Sequence, residues 1–144
     1  MKKNLDFIKS HIKICNNYLE RKCQPNDLKL NKIINNIDDI FLKIEPSHKQ
    51  IYLYKHIDLI FDKNKHKSQY LNNKGFYSGF LLTNLYPENY INESKNLILK
   101  LNIPIGSKCM LLDDNKVLLN RNCIISIQTI KYNIININYY NIKD

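Results

Sequence analysis

Leu97-Ile98-Leu99-Lys100-Leu101-Asn102-Ile103-Pro104-Ile105-Gly106-Ser107, followed by Lys116-Val117-Leu118-Leu119-Asn120-Arg121-Asn122-Cys123-Ile124-Ile125-Ser126-Ile127, carries the clearest strand pattern in the chain. Leu97 to Ile103 is an apolar run of strand length, and Pro104 and Gly106 punctuate its end as a turn. A second run, Cys109 to Leu112, gives way to Asp113-Asp114-Asn115, and the chain resumes as a strand at Val117 to Leu119. So short an interval predicts something close to a tight hairpin. Ile124 to Ile130 and Ile134 to Tyr140 predict two further strands.

Upstream of this core the pattern is again extended. Gly75 to Thr83 reads as a strand carrying two glycines, and from Gln50 the residues Ile51 and Leu53 alternate with Tyr52 and Tyr54 at the period of a strand. Asp58 to Tyr70 reads as a short helix or turn followed by a solvated loop. Before Gln50 the period changes. Leu5, Ile8, Ile12, Cys15 and Leu19 recur at steps of three and four, placing them on one helical face. After the interruption at Pro25 and Asn26, a second stripe of Leu30, Ile33, Ile34, Ile37, Phe41 and Ile44 runs until Pro46 stops it. Helices followed by a series of strands predict an α+β class. We expect one domain over residues 1–144, with a helical lobe at 1–46 and a strand-rich core at 50–140.

With 144 residues the chain suits a single core, and its 44% apolar and 24% charged content is that of a folded protein. Asn, Ile and Lys dominate while Ala and Trp are absent, as an AT-rich genome would write a protein, so many lysines carry no functional message. The formal charge of +9 attracts nucleic acid, anionic lipid or acidic partners, yet no block concentrates it. Cys15, Cys23, Cys109 and Cys123 lack CxxC spacing, which predicts buried free thiols and no metal site. No signal peptide is legible and no apolar run reaches the roughly 20 residues of a membrane span. The expectation is a soluble, intracellular protein of the cytoplasm, in a host cell if it is an effector.

Three elements in order carry a resemblance. Gly79-Phe80-Leu81-Leu82-Thr83-Asn84-Leu85, then Leu97 to Ser107 with its Ile-Pro-x-Gly, then Lys116-Val117-Leu118-Leu119, resemble the core of the ADP-ribosyltransferase exoenzymes, a toxin-like family. That family has a GF-x-Ser-Thr-Ser strand, an Ile-x-Ile-Pro-x-Gly strand and a Glu-x-Glu-Val-Leu-Leu strand. Ile51 to His56 resembles its first core strand, which usually ends in Tyr-Arg-Gly. The match spans roughly residues 50 to 130. It implies a mixed, mostly antiparallel two-sheet core behind the helical lobe, and NAD as cofactor if any binding is retained.

The resemblance also implies site positions. Tyr54, Lys55, Leu82, Thr83 and Asn84 fall on the NAD-binding positions, and Asp114 and Lys116 fall on the two acids of Glu-x-Glu. Cleaving the nicotinamide glycosidic bond builds positive charge on the ribose, and a nearby carboxylate is its natural stabiliser. The second acid of the family, which supplies it, is here Lys116. Lys55 replaces an arginine whose planar fork would grip phosphate, leaving a mobile point charge. Leu82 replaces a hydroxyl, and Thr83 alone keeps its identity. His56 fits another branch in which a His and a Tyr hold NAD, although a histidine at a strand end is more often surface. The short Leu111 to Asn115 interval pares away the loop that recognises the acceptor.

The preferred expectation is therefore a pseudoenzyme: an ADP-ribosyltransferase fold, inactive or strongly impaired, serving as a binding or decoy module for a protein partner, as a viral or parasite effector. The alternative is an active NAD-dependent mono-ADP-ribosyltransferase with Asp113 or Asp114 as its acid. A third reading is a basic nucleic-acid-binding protein with Tyr52, Tyr54, Tyr70 and Tyr77 as stacking surfaces.

Overall fold

The computed structural model describes residues 2–20, 27–58, 74–87, 96–142 and 144. The predicted helix or turn and loop within Asp58–Tyr70 lies, beyond Asp58 itself, outside the described residues, as do Cys23, Pro25 and Asn26. Both helical stripes form as expected, as α1 (Lys2–Glu20) and α2 (Leu28–Lys43). Asp27 caps α2, its Oδ1 accepting from the amides of Lys29 and Leu30, each at 3.1 Å. Such a cap satisfies donors that the first helical turn leaves without partners.

Eight strands follow: β1 (Ile51–Asp58), β2 (Lys74–Tyr77), β3 (Leu81–Asn84), β4 (Asn96–Ile103), β5 (Cys109–Leu111), β6 (Lys116–Leu119), β7 (Cys123–Lys131) and β8 (Ile134–Asn141). The order across the sheet is β2-β7-β8-β4-β1-β3-β6-β5. Among the described residues every pairing is antiparallel except β4 with β8.

Two expectations change. The single strand read over Gly75 to Thr83 is two, broken at Ser78-Gly79-Phe80. The cause is α1. Asn16 donates from Nδ2 to the Phe80 carbonyl at 2.8 Å and accepts from the Phe80 amide at 2.7 Å, so a side chain replaces a neighbouring strand there. The second change concerns the expected pair of sheets. The strands form one hydrogen-bonded sheet, joined between β1 and β3 by the single register pair Tyr54↔Asn84.

That one sheet nevertheless serves two cores, because side chains alternate across a strand. Leu118 of β6, with Phe80 and Met110, is buried against Ile8, Ile12 and Cys15 of α1 and Ile33, Ile34, Ile37 and Phe41 of α2. Phe41 and Phe80 stack with ring centroids 5.9 Å apart. On the other side of β6, Val117 and Leu119 join Leu53, Leu101, Ile103, Ile135, Ile137 and Tyr139. Strand β6 is thus shared by the two cores, and α1 and α2 pack on its Leu118 side.

Candidate functional site

The sequence positions singled out above fall on three neighbouring strands, β1, β3 and β6. Leu82 pairs in register with Leu118, and Asn84 with Lys116, so the β3–β6 ladder sets Lys116 directly beside Asn84. The Lys116 ammonium donates to the Asn84 Oδ1 at 2.8 Å. From β1, Lys55 Nζ donates to the Leu82 carbonyl at 3.0 Å. Lys55 is half-buried, and burial, with the Lys116 charge as a second cause, holds its ammonium below the ordinary lysine range. Two cations therefore share this corner, each held by a neutral oxygen.

The remaining positions do other work. The Leu82 side chain packs against the helix-covered core, so this residue meets Lys55 through its backbone alone. Thr83 is buried and its hydroxyl donates to the Val117 carbonyl at 2.9 Å, fastening β3 to β6. Tyr54 stands opposite Asn84 and Lys100 in register. His56 is half-buried and lies opposite Ile98.

The two aspartates sit on the β5–β6 connection, which is the tight turn expected. Asp113 Oδ1 accepts from the amides of Asn115 at 2.9 Å and Lys116 at 2.8 Å, and its Oδ2 lies 3.4 Å from Lys9 Nζ on α1. The Asn115 amide first, then the Lys116 amide and Lys9, hold this carboxyl below the usual carboxylate range. Its oxygens are thus committed to its own turn and to the helix. Asp114 is exposed. The partners of Lys55 and Lys116 escape a reading of the sequence for a simple reason. One is a backbone carbonyl, which carries no residue signature, and the other depends on the β3–β6 register.

Among the described residues no three His, Cys, Asp or Glu gather as a metal site. Cys15, Cys109 and Cys123 are free thiols, and burial pushes Cys109 and Cys123 up to about 11 each, which leaves them protonated at neutral pH. No helix among the described residues is long and apolar enough to cross a membrane.

Strand order, the Phe80 to Asn84 segment beneath α1 and the Lys116–Leu119 strand together define an ADP-ribosyltransferase-type fold. The ADP-ribosyltransferase exoenzyme family model matches residues 3–143, and the chain belongs to that family. Among solved structures, C3larvin toxin, an ADP-ribosyltransferase from Paenibacillus larvae, superposes with a TM-score of 0.79 at 16% identity, covering 97% of this chain and 95% of that one. The Clostridium limosum C3 exoenzyme gives 0.75 at 20% identity, with 97% and 85% covered. C3stau2 from S. aureus, determined with NAD, gives 0.73 at 16% identity, with 98% and 88% covered. A search of curated sequences returns no match.

Proposed function

We propose that this protein is a member of the ADP-ribosyltransferase exoenzyme family that no longer transfers ADP-ribose and acts as a binding or decoy module. The observation that carries this reading is the Lys116 ammonium, fixed on Asn84 beside the half-buried Lys55, at the position where the family pattern has its second acid. Two unit charges about 4 Å apart at an effective dielectric near 20 interact by about 4 kcal/mol. Exchanging attraction for repulsion at a developing ribosyl cation therefore costs up to ~8 kcal/mol. At 1.36 kcal/mol per decade, that is a loss on the order of a millionfold in rate.

NAD fits this corner in part. The ammonium groups of Lys55 and Lys116 suit the anionic diphosphate, and the binding of NAD by the relative C3stau2 supports a retained nucleotide site. The bond-breaking half does not fit. Lys116 places a positive charge where an anion is needed, and Asp113, the acid nearest in sequence with a fixed geometry, is turned to its own backbone and to Lys9.

The test incubates purified protein with nicotinamide-labelled NAD, with and without a mixture of cell proteins as acceptors. Nicotinamide release no faster than in buffer is the expected result. Release at an enzymatic pace, abolished by Asp114→Ala or Asp113→Ala, would overturn the proposal in favour of an active transferase with a displaced acid.

A further inference from the structure

The β2-β7-β8-β4-β1 part of the sheet has a second face, turned away from the buried side chains Leu53, Leu101, Ile137 and Tyr139. Helices α1 and α2 pack against Phe80, Met110, Leu112 and Leu118 instead, and on this second face Ile98 is buried while Tyr52, Phe76 and Tyr140 are exposed. Register places Tyr52, Asn102, Asn138 and Ser126 in one row across it, and Tyr140, Ile124 and Phe76 in the next. Apolar rings are normally drawn inward, yet Tyr52 is 46% exposed, Phe76 65% and Tyr140 58%. Tyr140 and Phe76 are two strands apart, about 10 Å, and Tyr52 is a similar distance beyond Tyr140.

The chemistry between the rings is polar and cationic. Asn102 donates to Asn138 at 3.4 Å, and the Lys100 ammonium lies 4.5 Å from the centre of the Tyr52 ring. Among the described side chains of this face, none is a carboxylate. Asp58 shares the parity of Tyr52 but stands at the opposite end of β1, while Asp6, Glu20, Asp38 and Asp39 are on the helices and Asp113 and Asp114 on the β5–β6 turn. The chain as a whole carries +9.

We infer that the exposed part of this sheet face binds single-stranded nucleic acid, with Tyr52, Tyr140 and Phe76 as stacking positions and Lys100 as a phosphate contact. Three rings over roughly 20 Å suit three or four extended nucleotides, whose bases stack on aromatic faces irrespective of sequence. The asparagine row offers donors and acceptors to base edges. An acidic protein surface would be drawn by the same charge, but a single strand supplies a flat base and an anionic phosphate at every repeat along the row of rings. The inference concerns a different face from Lys55 and Lys116 and does not depend on the loss of transferase chemistry.

The test is fluorescence anisotropy of labelled dT12 and rU12 with the full chain at 50 mM salt. The expected result is saturable binding that weakens on the order of tenfold by 200 mM salt. Tyr52→Ala, Phe76→Ala and Tyr140→Ala each weaken it by about 5- to 100-fold. Their circular dichroism and thermal midpoints stay unchanged, and Lys32→Ala on α2 is a control with little effect. Absence of binding at 50 mM salt overturns the inference. So does binding that all three aromatic variants retain, since scattered lysines would then be its source. A monomer–dimer equilibrium abolished by Phe76→Ala would assign the face to a second copy of the chain instead.

Discussion

Lys55 is a cation in a poor place. Burial and the neighbouring Lys116 both disfavour its charged form, and its acceptor is the neutral Leu82 carbonyl. Because the folded state holds this proton more weakly than the unfolded chain, the group penalises folding at neutral pH. Stability should therefore rise as pH climbs from the lowered pKa towards the ordinary lysine value of 10.5. Lys55→Met removes the desolvated charge and is expected to be neutral or stabilising, by about 1 kcal/mol, in urea unfolding at pH 7. Lys116→Glu reverses the sign of the nearest charge. Its expected effect is a Lys55 pKa moved back up, read from the 13Cε resonance of that lysine. A Lys55 titration indifferent to the substitution would show that Lys116 contributes nothing to the site's electrostatics.

The elements meet through a few specific contacts, and the tightest is where α1 holds the start of β3. Asn16 makes both hydrogen bonds of Phe80, Ser78 Oγ donates to the Leu19 carbonyl at 3.0 Å, and the Tyr77 hydroxyl donates to Glu20 at 2.7 Å. Gly79 lies inside this clamp. A Cβ there would sit 2.7 Å from the Asn16 Oδ1 and 2.8 Å from the Tyr77 hydroxyl, closer than side chains tolerate. Gly79→Ala should therefore cost about 1–3 kcal/mol, and Asn16→Ala about 2 kcal/mol from the two backbone groups it strands. The two losses share one contact, so the double variant should be less destabilised than their sum. Strict additivity in chemical denaturation would mean that the glycine is there for another reason.

Local pattern explains why most of the elements were legible. The 3.6-residue stripes of α1 and α2 and the apolar runs of β4 to β8 report burial directly, and burial leaves its mark on residue type. The break before β3 left no such mark, because it depends on Asn16, which lies 64 positions from Phe80. The same limit applied at the site. Lys116 and Lys55 were visible as departures from a family pattern, while the commitment of Asp113 to its own turn emerged only with the backbone in place. The two expected sheets proved to be one for a related reason: strand runs carry no information on whether a single pair, Tyr54↔Asn84, bridges them.

At the scale of the molecule the decisive element is β6, four residues long and shared by both cores. Leu118 is buried against the helices, while Val117 and Leu119 are buried on the opposite side with β1, β4 and β8. Neither core closes without this strand. The Arg121–Asp38 pair reinforces the coupling, since the guanidinium beyond β6 grips α2 through Nε at 2.9 Å and Nη2 at 2.8 Å. The helical lobe and the sheet should therefore unfold together, although only one residue pair joins the two parts of the sheet. Helix loss at 222 nm and tyrosine fluorescence should give superimposable transitions in urea. Leu118→Ala, which opens a cavity under both helices, should cost about 2–5 kcal/mol and shift both probes equally. Helix loss at lower urea than the fluorescence change would show that the lobe is an independent unit docked on the sheet, and that β6 does not couple the two cores.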